Sequence, residues 1–185
     1  TGPGDIRWLS LSVRSLRQET TSAFFLEGVA TDITQAKEHE EHLARQANMD
    51  EITGIPNRTM FNVTMKRMFS QARRGQFGLA LLFIDLDHFK QVNDRHGHQM
   101  GDKVLREVAQ RIHLRVREAD LAARLGGDEF SVILHGVESR ETVMLVANDL
   151  IKTISSPVEV EGQCFQVGAS IGIHLMGNRD SRAED

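Results

Sequence analysis

With a single cysteine, Cys164, the chain cannot close an internal disulfide, and that usage fits a reducing cytoplasm. It carries no excess of positive charge. Its net charge of −4 argues against a general nucleic-acid binder, which would show a basic face. Nor has it a long hydrophobic run. The longest strongly apolar stretch, Leu79 to Ile84, is far too short to span a bilayer, so no membrane contact is expected from this segment. Signal-peptide pattern, internal repeat and low-complexity tract are all missing. The opening Thr1-Gly2-Pro3-Gly4 lacks an initiating methionine, and the expectation is a piece of a longer protein with sensor or membrane segments upstream. What is present, 40% hydrophobic and 26% charged residues, is the composition of a soluble globular protein, enough for one generous domain or one domain and a fragment.

Three stretches differ in character. Ile6 to Val29 is β-like: Trp8 to Val13 alternates in part, and Ala23 to Val29 is a second apolar run across a polar turn. Asp32-Ile33-Thr34 then reads as a helix cap leading into Gln35 to Asn48, a polar helix rich in Glu, Lys, Gln and Ala. Ile33, Ala36, Leu43 and Ala47 fall near heptad spacing, with Glu40 interrupting the seam. A solvated connector and a short parallel coiled coil between subunits both fit this pattern.

From Asp50 onward helices and strands alternate. Amphipathic helices are expected over Arg58 to Arg73 and Met100 to Val116, with a third over Glu138 to Ile154. Strands are expected over Gly78 to Ile84, Leu121 to Leu125, Phe130 to Leu134, Val158 to Val160 and Cys164 to Leu175, with Glu161-Gly162 as a turn. The fold class predicted is α+β, an essentially antiparallel central sheet covered by helices.

The chemistry concentrates in Gly126-Gly127-Asp128-Glu129-Phe130. Two glycines bare the backbone of a hairpin so that a bulky anion can approach, and the acids beside them can hold a divalent cation. Gly-Gly is also an ordinary hairpin turn. Strand alternation puts Phe83, Asp85 and Asp87 on one face near the end of a buried strand, with Ile84 and Leu86 on the other. A carboxylate there needs a cation or hydrogen bonds, and any one such Asp is also a common loop cap. If the two strands are neighbours, Asp85, Asp128 and Glu129 converge. Hard oxygen donors with nothing soft nearby favour Mg²⁺ or Mn²⁺.

Several stretches in order carry a resemblance. They are Asp50-Glu51-Ile52-Thr53-Gly54-Ile55-Pro56-Asn57-Arg58, Phe83 to Lys90, Asn93-Asp94, Gly97-His98-Gln99-Met100-Gly101-Asp102, and Ala123-Arg124-Leu125 ahead of the glycines. From Asp50 to Met176 the chain resembles the GGDEF domain of diguanylate cyclases, with Leu125 where an aromatic residue is common. The resemblance implies that two GTP molecules become cyclic di-GMP and two pyrophosphates across a homodimer, each subunit holding one GTP. Asp85, the Leu86 carbonyl and Asp128 are the implied metal ligands. Asp128 is the implied proton acceptor, with Glu129 a second candidate for metal or base.

Asn93, His98 and Asp102 would meet the nucleoside, where a carboxylate can accept from both guanine N–H groups and adenine has no such ring donor. Asp102 is equally a first-turn acid favouring the helix dipole. Lys90 and the backbone around His88 and Phe89 would contact phosphates, and the bare Gly126 and Gly127 would let them approach. Arg117-Glu118-Ala119-Asp120 fits the family's RxxD site for inhibition by cyclic di-GMP, a string that also occurs as a simple ion pair at helix ends. The family continues past the equivalent of Asp185 with a helix bearing basic residues for the phosphates. A chain without it is expected to bind GTP weakly or to be inactive. Residues to Thr34 resemble the last strands of a PAS sensor domain. An alternative to the enzyme is a silent GTP- or cyclic-di-GMP-binding module regulating a downstream phosphodiesterase domain.

Overall fold

The structure, a computed structural model, describes residues 6–17, 24–74 and 77–176. The polar turn expected between the first two apolar runs lies outside the described residues. The chain divides into two compact units, Thr1–Gln46 and Ala47–Asp185.

The first unit is a hairpin of β1 (Leu9–Arg17) and β2 (Phe24–Asp32), with most of the helix α1 (Thr34–Asn48). The strands pair antiparallel from Leu9↔Asp32 to Arg17↔Phe24, and the opposed Arg14 and Glu27 form an ion pair across them. Leu9, Leu11, Val13, Leu26 and Val29 are all exposed. At the exit Asp32 Oδ1 accepts from the Thr34 amide at 2.9 Å, and Thr34 Oγ1 accepts from the Trp8 amide at 2.9 Å. Hydrogen bonds from Thr34 hold the Asp32 carboxyl below the ordinary carboxylate range, with Arg7 adding to the effect. α1 buries none of its residues. Among the described residues no helix is long and apolar enough to cross a membrane.

The second unit contains α2 (Arg58–Ala72), β3 (Leu79–Asp87), α3 (Phe89–His96), α4 (His98–His113), β4 (Leu121–Gly126), β5 (Glu129–His135), α5 (Arg140–Ile154), β6 (Val158–Val160), β7 (Gln163–Phe165) and β8 (Gly168–Met176). Its main sheet runs β4-β5-β3-β8 with every neighbour antiparallel. The alternation along β3 decides which helix covers which face. Ala80, Leu82, Ile84 and Leu86 pack with Val104, Leu105 and Val108 of α4 and Val143, Ala147 and Leu150 of α5. Leu79 and Leu81 turn the other way, onto Phe61, Met68 and Ala72 of α2. A wholly buried side chain such as Leu82 contributes about 2 kcal/mol.

The antiparallel sheet and its helical layers match the expected class. Several details differ from the expected elements, among them the run Cys164 to Leu175, which divides into β7 and β8. β3 runs on to Asp87, because pairing with β8 continues to Asp87↔Gly168. α3 was not anticipated. It is eight residues long, buries only Phe89 and Val92, and starts after a left-handed His88 (φ 67°) without a side-chain cap. Gly97 (φ 82°) alone separates it from α4, so that helix begins at His98 rather than Met100. Finally, the hairpin tip is Gly127-Asp128, with Gly126 still in β4 beyond a bulge after Arg124. The Glu161-Gly162 turn is as expected, both residues having positive φ.

Candidate active site

The central pair β3–β5 brings the acids together. Its register sets Asp85 opposite Glu129, and the Leu86 amide donates to the Asp128 carbonyl at 3.3 Å. Burial raises the Asp85 carboxyl above the ordinary carboxylate range, and repulsion from Asp128, Asp87 and Glu129 pushes it further. Four carboxylates thus share one end of the sheet. Asp87 is fixed there by Ser170 Oγ, which donates to its Oδ1 at 2.9 Å. A Cβ at Gly168 would stand 2.9 Å from Asp87 Oδ2, so a larger residue there would displace this carboxylate.

Two arginines set the hairpin. Arg124, 6% exposed, donates through Nε and Nη2 to the Gly127 carbonyl at 3.0 and 2.8 Å, and through Nη1 to Asp50 Oδ1 at 2.9 Å. Asp50 Oδ1 also accepts from the Thr53 amide and hydroxyl. Arg58 donates through Nε to the Leu125 carbonyl at 2.8 Å and through Nη2 to Glu129 Oε2 at 3.2 Å. Asn57 anchors the base of Arg58. Its Oδ1 caps α2 at the Met60 amide, and its Nδ2 donates to the carbonyls of Ala47 and Met49. A cleft of about 580 Å³ opens beside the hairpin, lined by Arg58, Phe83, Asp85, Leu125, Glu129 and Ile171 among others.

A second group forms the corner of α3 and α4. The helices touch where a Cβ on Gly101 would fall 1.9 Å from Asn93 Oδ1, so Asn93 occupies the space that the glycine leaves. His98 and Asp102 lie four residues apart on one face of α4, His98 exposed and Asp102 half-buried. His88, Phe89 and Lys90 directly follow β3, with Phe89 buried and the other two exposed. There the first amides of α3 have no intrahelical partner, the usual condition for meeting an anion.

The Arg117–Asp120 turn is separate. Asp120 Oδ2 accepts from the Arg117 amide and Oδ1 from the His135 amide, each at 2.9 Å, while Arg117 is exposed. The six residues of β4 put it about 20 Å from the glycine tip. Both oxygens of Asp120 therefore tie the start of β4 to the end of β5, with lone pairs left for a ligand.

The donor set suits a hard cation that completes its shell elsewhere. No group of three His, Cys, Asp or Glu side chains able to hold a metal ion exists among the described residues. Asp85, Asp128 and the Leu86 carbonyl offer oxygen alone. Mg²⁺ characteristically takes one or two carboxylates and fills the remaining positions with phosphate oxygens and water. Sequence reasoning gave no role to Arg58, Arg124, Asp50 or Ser170. The first three stand in the motif stretches, but their partners are distant along the chain.

Asp85→Asn removes one of the clustered charges. In the metal-free protein the variant is expected to melt higher near neutral pH. A carboxyl with a raised folded pKa leaves the folded state holding more protons than the unfolded state from about pH 4 up to that value, so stability falls as pH rises through this window. The advantage of the variant should therefore shrink on acidification. Thermal melts across that range test it, and a difference independent of pH would contradict it.

A model of the family described as diguanylate cyclase, GGDEF domain, matches residues 47–185. The diguanylate cyclase TpbB of Pseudomonas aeruginosa is 41% identical over 144 residues, covering 76% of this chain and 33% of the relative. The bifunctional diguanylate cyclase/cyclic di-GMP phosphodiesterase MucR of the same species is 40% identical over 157 residues, covering 84% of this chain and 22% of the relative. The chain thus spans a third or less of the length of these relatives. The crystal structure of the coiled coil and GGDEF domain of DgcB from Caulobacter crescentus, in complex with c-di-GMP, superposes with a TM-score of 0.72 at 29% identity. That match covers 79% of this chain and 78% of the other.

Proposed function

The chain belongs to the GGDEF family of diguanylate cyclase domains, and on that premise we propose that it condenses two GTP molecules into cyclic di-GMP and two pyrophosphates. The observation that carries this reading is the convergence of Asp85, Asp128 and Glu129 at the end of β3–β5.

In this reading Asp102 accepts from the guanine N–H groups while Asn93 and His98 bound the nucleoside. Lys90 and the amides after His88 hold the phosphates, and the bare Gly126 and Gly127 let them come close. Each subunit of a homodimer holds one nucleotide, so apposition of two half-sites sets the rate. Asp128 takes the proton of the 3′-hydroxyl. A bond forms from that oxygen to the α-phosphorus of the other nucleotide, and the bond from the α-phosphorus to the bridging oxygen of pyrophosphate breaks. Mg²⁺ or Mn²⁺ held by Asp85, Asp128 and the Leu86 carbonyl would neutralise charge on the departing pyrophosphate.

Product would bind at Arg117 and Asp120 and inhibit. The β1–β2 hairpin would close a PAS-like sensor acting through α1. A cytoplasmic location, and a phosphodiesterase domain elsewhere in the full-length protein, belong to the same proposal. Incubating the full-length protein with GTP and Mg²⁺ and following cyclic di-GMP by chromatography is the test. Steady product formation is expected. Bound GTP without product, in a dimeric preparation, would replace the enzyme with the silent binding module.

A further inference from the structure

Arg58 holds both sides of the hairpin at once. Its Nε reaches the Leu125 carbonyl before the glycines, and its Nη2 reaches the Glu129 carboxylate just after the tip, at 2.8 and 3.2 Å. Gly126, with φ +142°, lies beneath the guanidinium, and a Cβ there would sit 4.0 Å from Nη2. The side chain arrives from the first position of α2, and Asn57, one residue earlier, caps that helix. The clamp is thus rooted in a fixed element.

Stability does not explain the contact. The two side chains are 60% and 58% exposed, a range in which ion pairs contribute little. Charge distribution explains it better. Asp85 and Glu129 face each other across β3 and β5, and among the described residues the acid of this cluster that pairs with a cation is Glu129. Among the described residues, the carboxylate that Arg58 pairs with is Glu129.

Resting on the function proposed above, we infer that Arg58 is a positioning residue that divides labour between the acids. It holds Glu129 beside the cation site and fixes the hairpin backbone from Leu125 to Glu129, leaving Asp85 and Asp128 as the pair open to the cation. Removing a clamp of this kind has opposite effects on two measurements. Glu129 is released into an acidic cluster that has lost its guanidinium, so a bare divalent cation binds more tightly. Turnover falls, because the hairpin that carries Asp128 keeps only one of its two arginine anchors, Arg124.

The experiment uses the full-length protein and its Arg58→Ala and Arg58→Lys variants. Mn²⁺ alone, without nucleotide, is titrated by electron paramagnetic resonance, while kcat and KM for GTP and the melting temperature are measured in parallel. Arg58→Ala is expected to bind Mn²⁺ roughly two- to fivefold more tightly, the scale of one solvent-screened charge. Its kcat should fall on the order of 10- to 100-fold with KM little changed, as misplacement of a reacting group predicts. Arg58→Lys keeps the charge but not the two-pronged geometry. It should restore wild-type Mn²⁺ affinity and recover only part of kcat. Unchanged or weaker Mn²⁺ binding in Arg58→Ala overturns the inference, as does a kcat equal to wild type. An inactive wild type would count against the proposed function instead, while the Mn²⁺ titration would still decide the role of Arg58.

Discussion

Asp128→Asn is expected to lower cyclic di-GMP formation by about 10³-fold or more while the fold stays intact. In the proposed function the substitution removes a proton acceptor, typically worth 10²- to 10⁴-fold, together with one oxygen donor for the cation. The backbone has no reason to move. What ties this residue to its neighbour strand is its carbonyl, which accepts from the Leu86 amide, and asparagine is at home in a tight turn. One charge also leaves a crowded acidic cluster, so the melting temperature should hold or rise. Initial rates at saturating GTP and Mg²⁺, beside a thermal melt, measure both halves. A variant keeping a tenth of wild-type turnover would remove Asp128 from its proposed role.

Arg124→Ala is expected to act on stability first. The guanidinium is buried, and its loss leaves the half-buried Asp50 carboxylate with Thr53 as its remaining partner and frees the Gly127 carbonyl. Breaking a buried pair from one side costs about 3 to 5 kcal/mol, which for a chain of this size lowers the melting temperature on the order of 10 °C. The effect carries a pH signature. Burial raises the Asp50 carboxyl, but hydrogen bonds from Thr53 and Arg124 outweigh it and hold the group below the ordinary carboxylate range. Such a group contributes stability above its unfolded pKa, and that contribution is lost as pH falls through the folded value. The variant, lacking part of it, should lose less on acidification than the wild type. Denaturant melts at neutral and acid pH give both numbers. A loss under about 1 kcal/mol would mean that the pair does not hold the hairpin.

Much of this was legible in the chain because period and chemistry agree locally. β3 alternates, so the outward placement of Phe83 and Asp85 followed from spacing alone. The glycine-acid hairpin and the amphipathic helices announced themselves in the same way. α3 stayed hidden because two inward residues over eight positions make no clear helical stripe, and its start relies on a left-handed histidine rather than a capping side chain. The arginine contacts stayed hidden for another reason. Arg58 meets Glu129 across 71 positions and Arg124 meets Asp50 across 74, distances that no local pattern encodes. Ser170 and Asp87, 83 positions apart, belong to the same class. The bulge after Arg124 moved the turn by one residue for a similar reason, since register is a property of two strands rather than one.

The contact between α3 and α4 works as a one-carbon threshold. A methyl group on Gly101 would stand 1.9 Å from Asn93 Oδ1 and 3.2 Å from the Phe89 ring, so it must evict the asparagine or part the helices. Neither the acids at the end of β3 nor the distant Arg117–Asp120 turn would feel it directly. In the function proposed here, that single carbon is expected to cost nucleotide binding at this corner while leaving the Arg117–Asp120 turn in place.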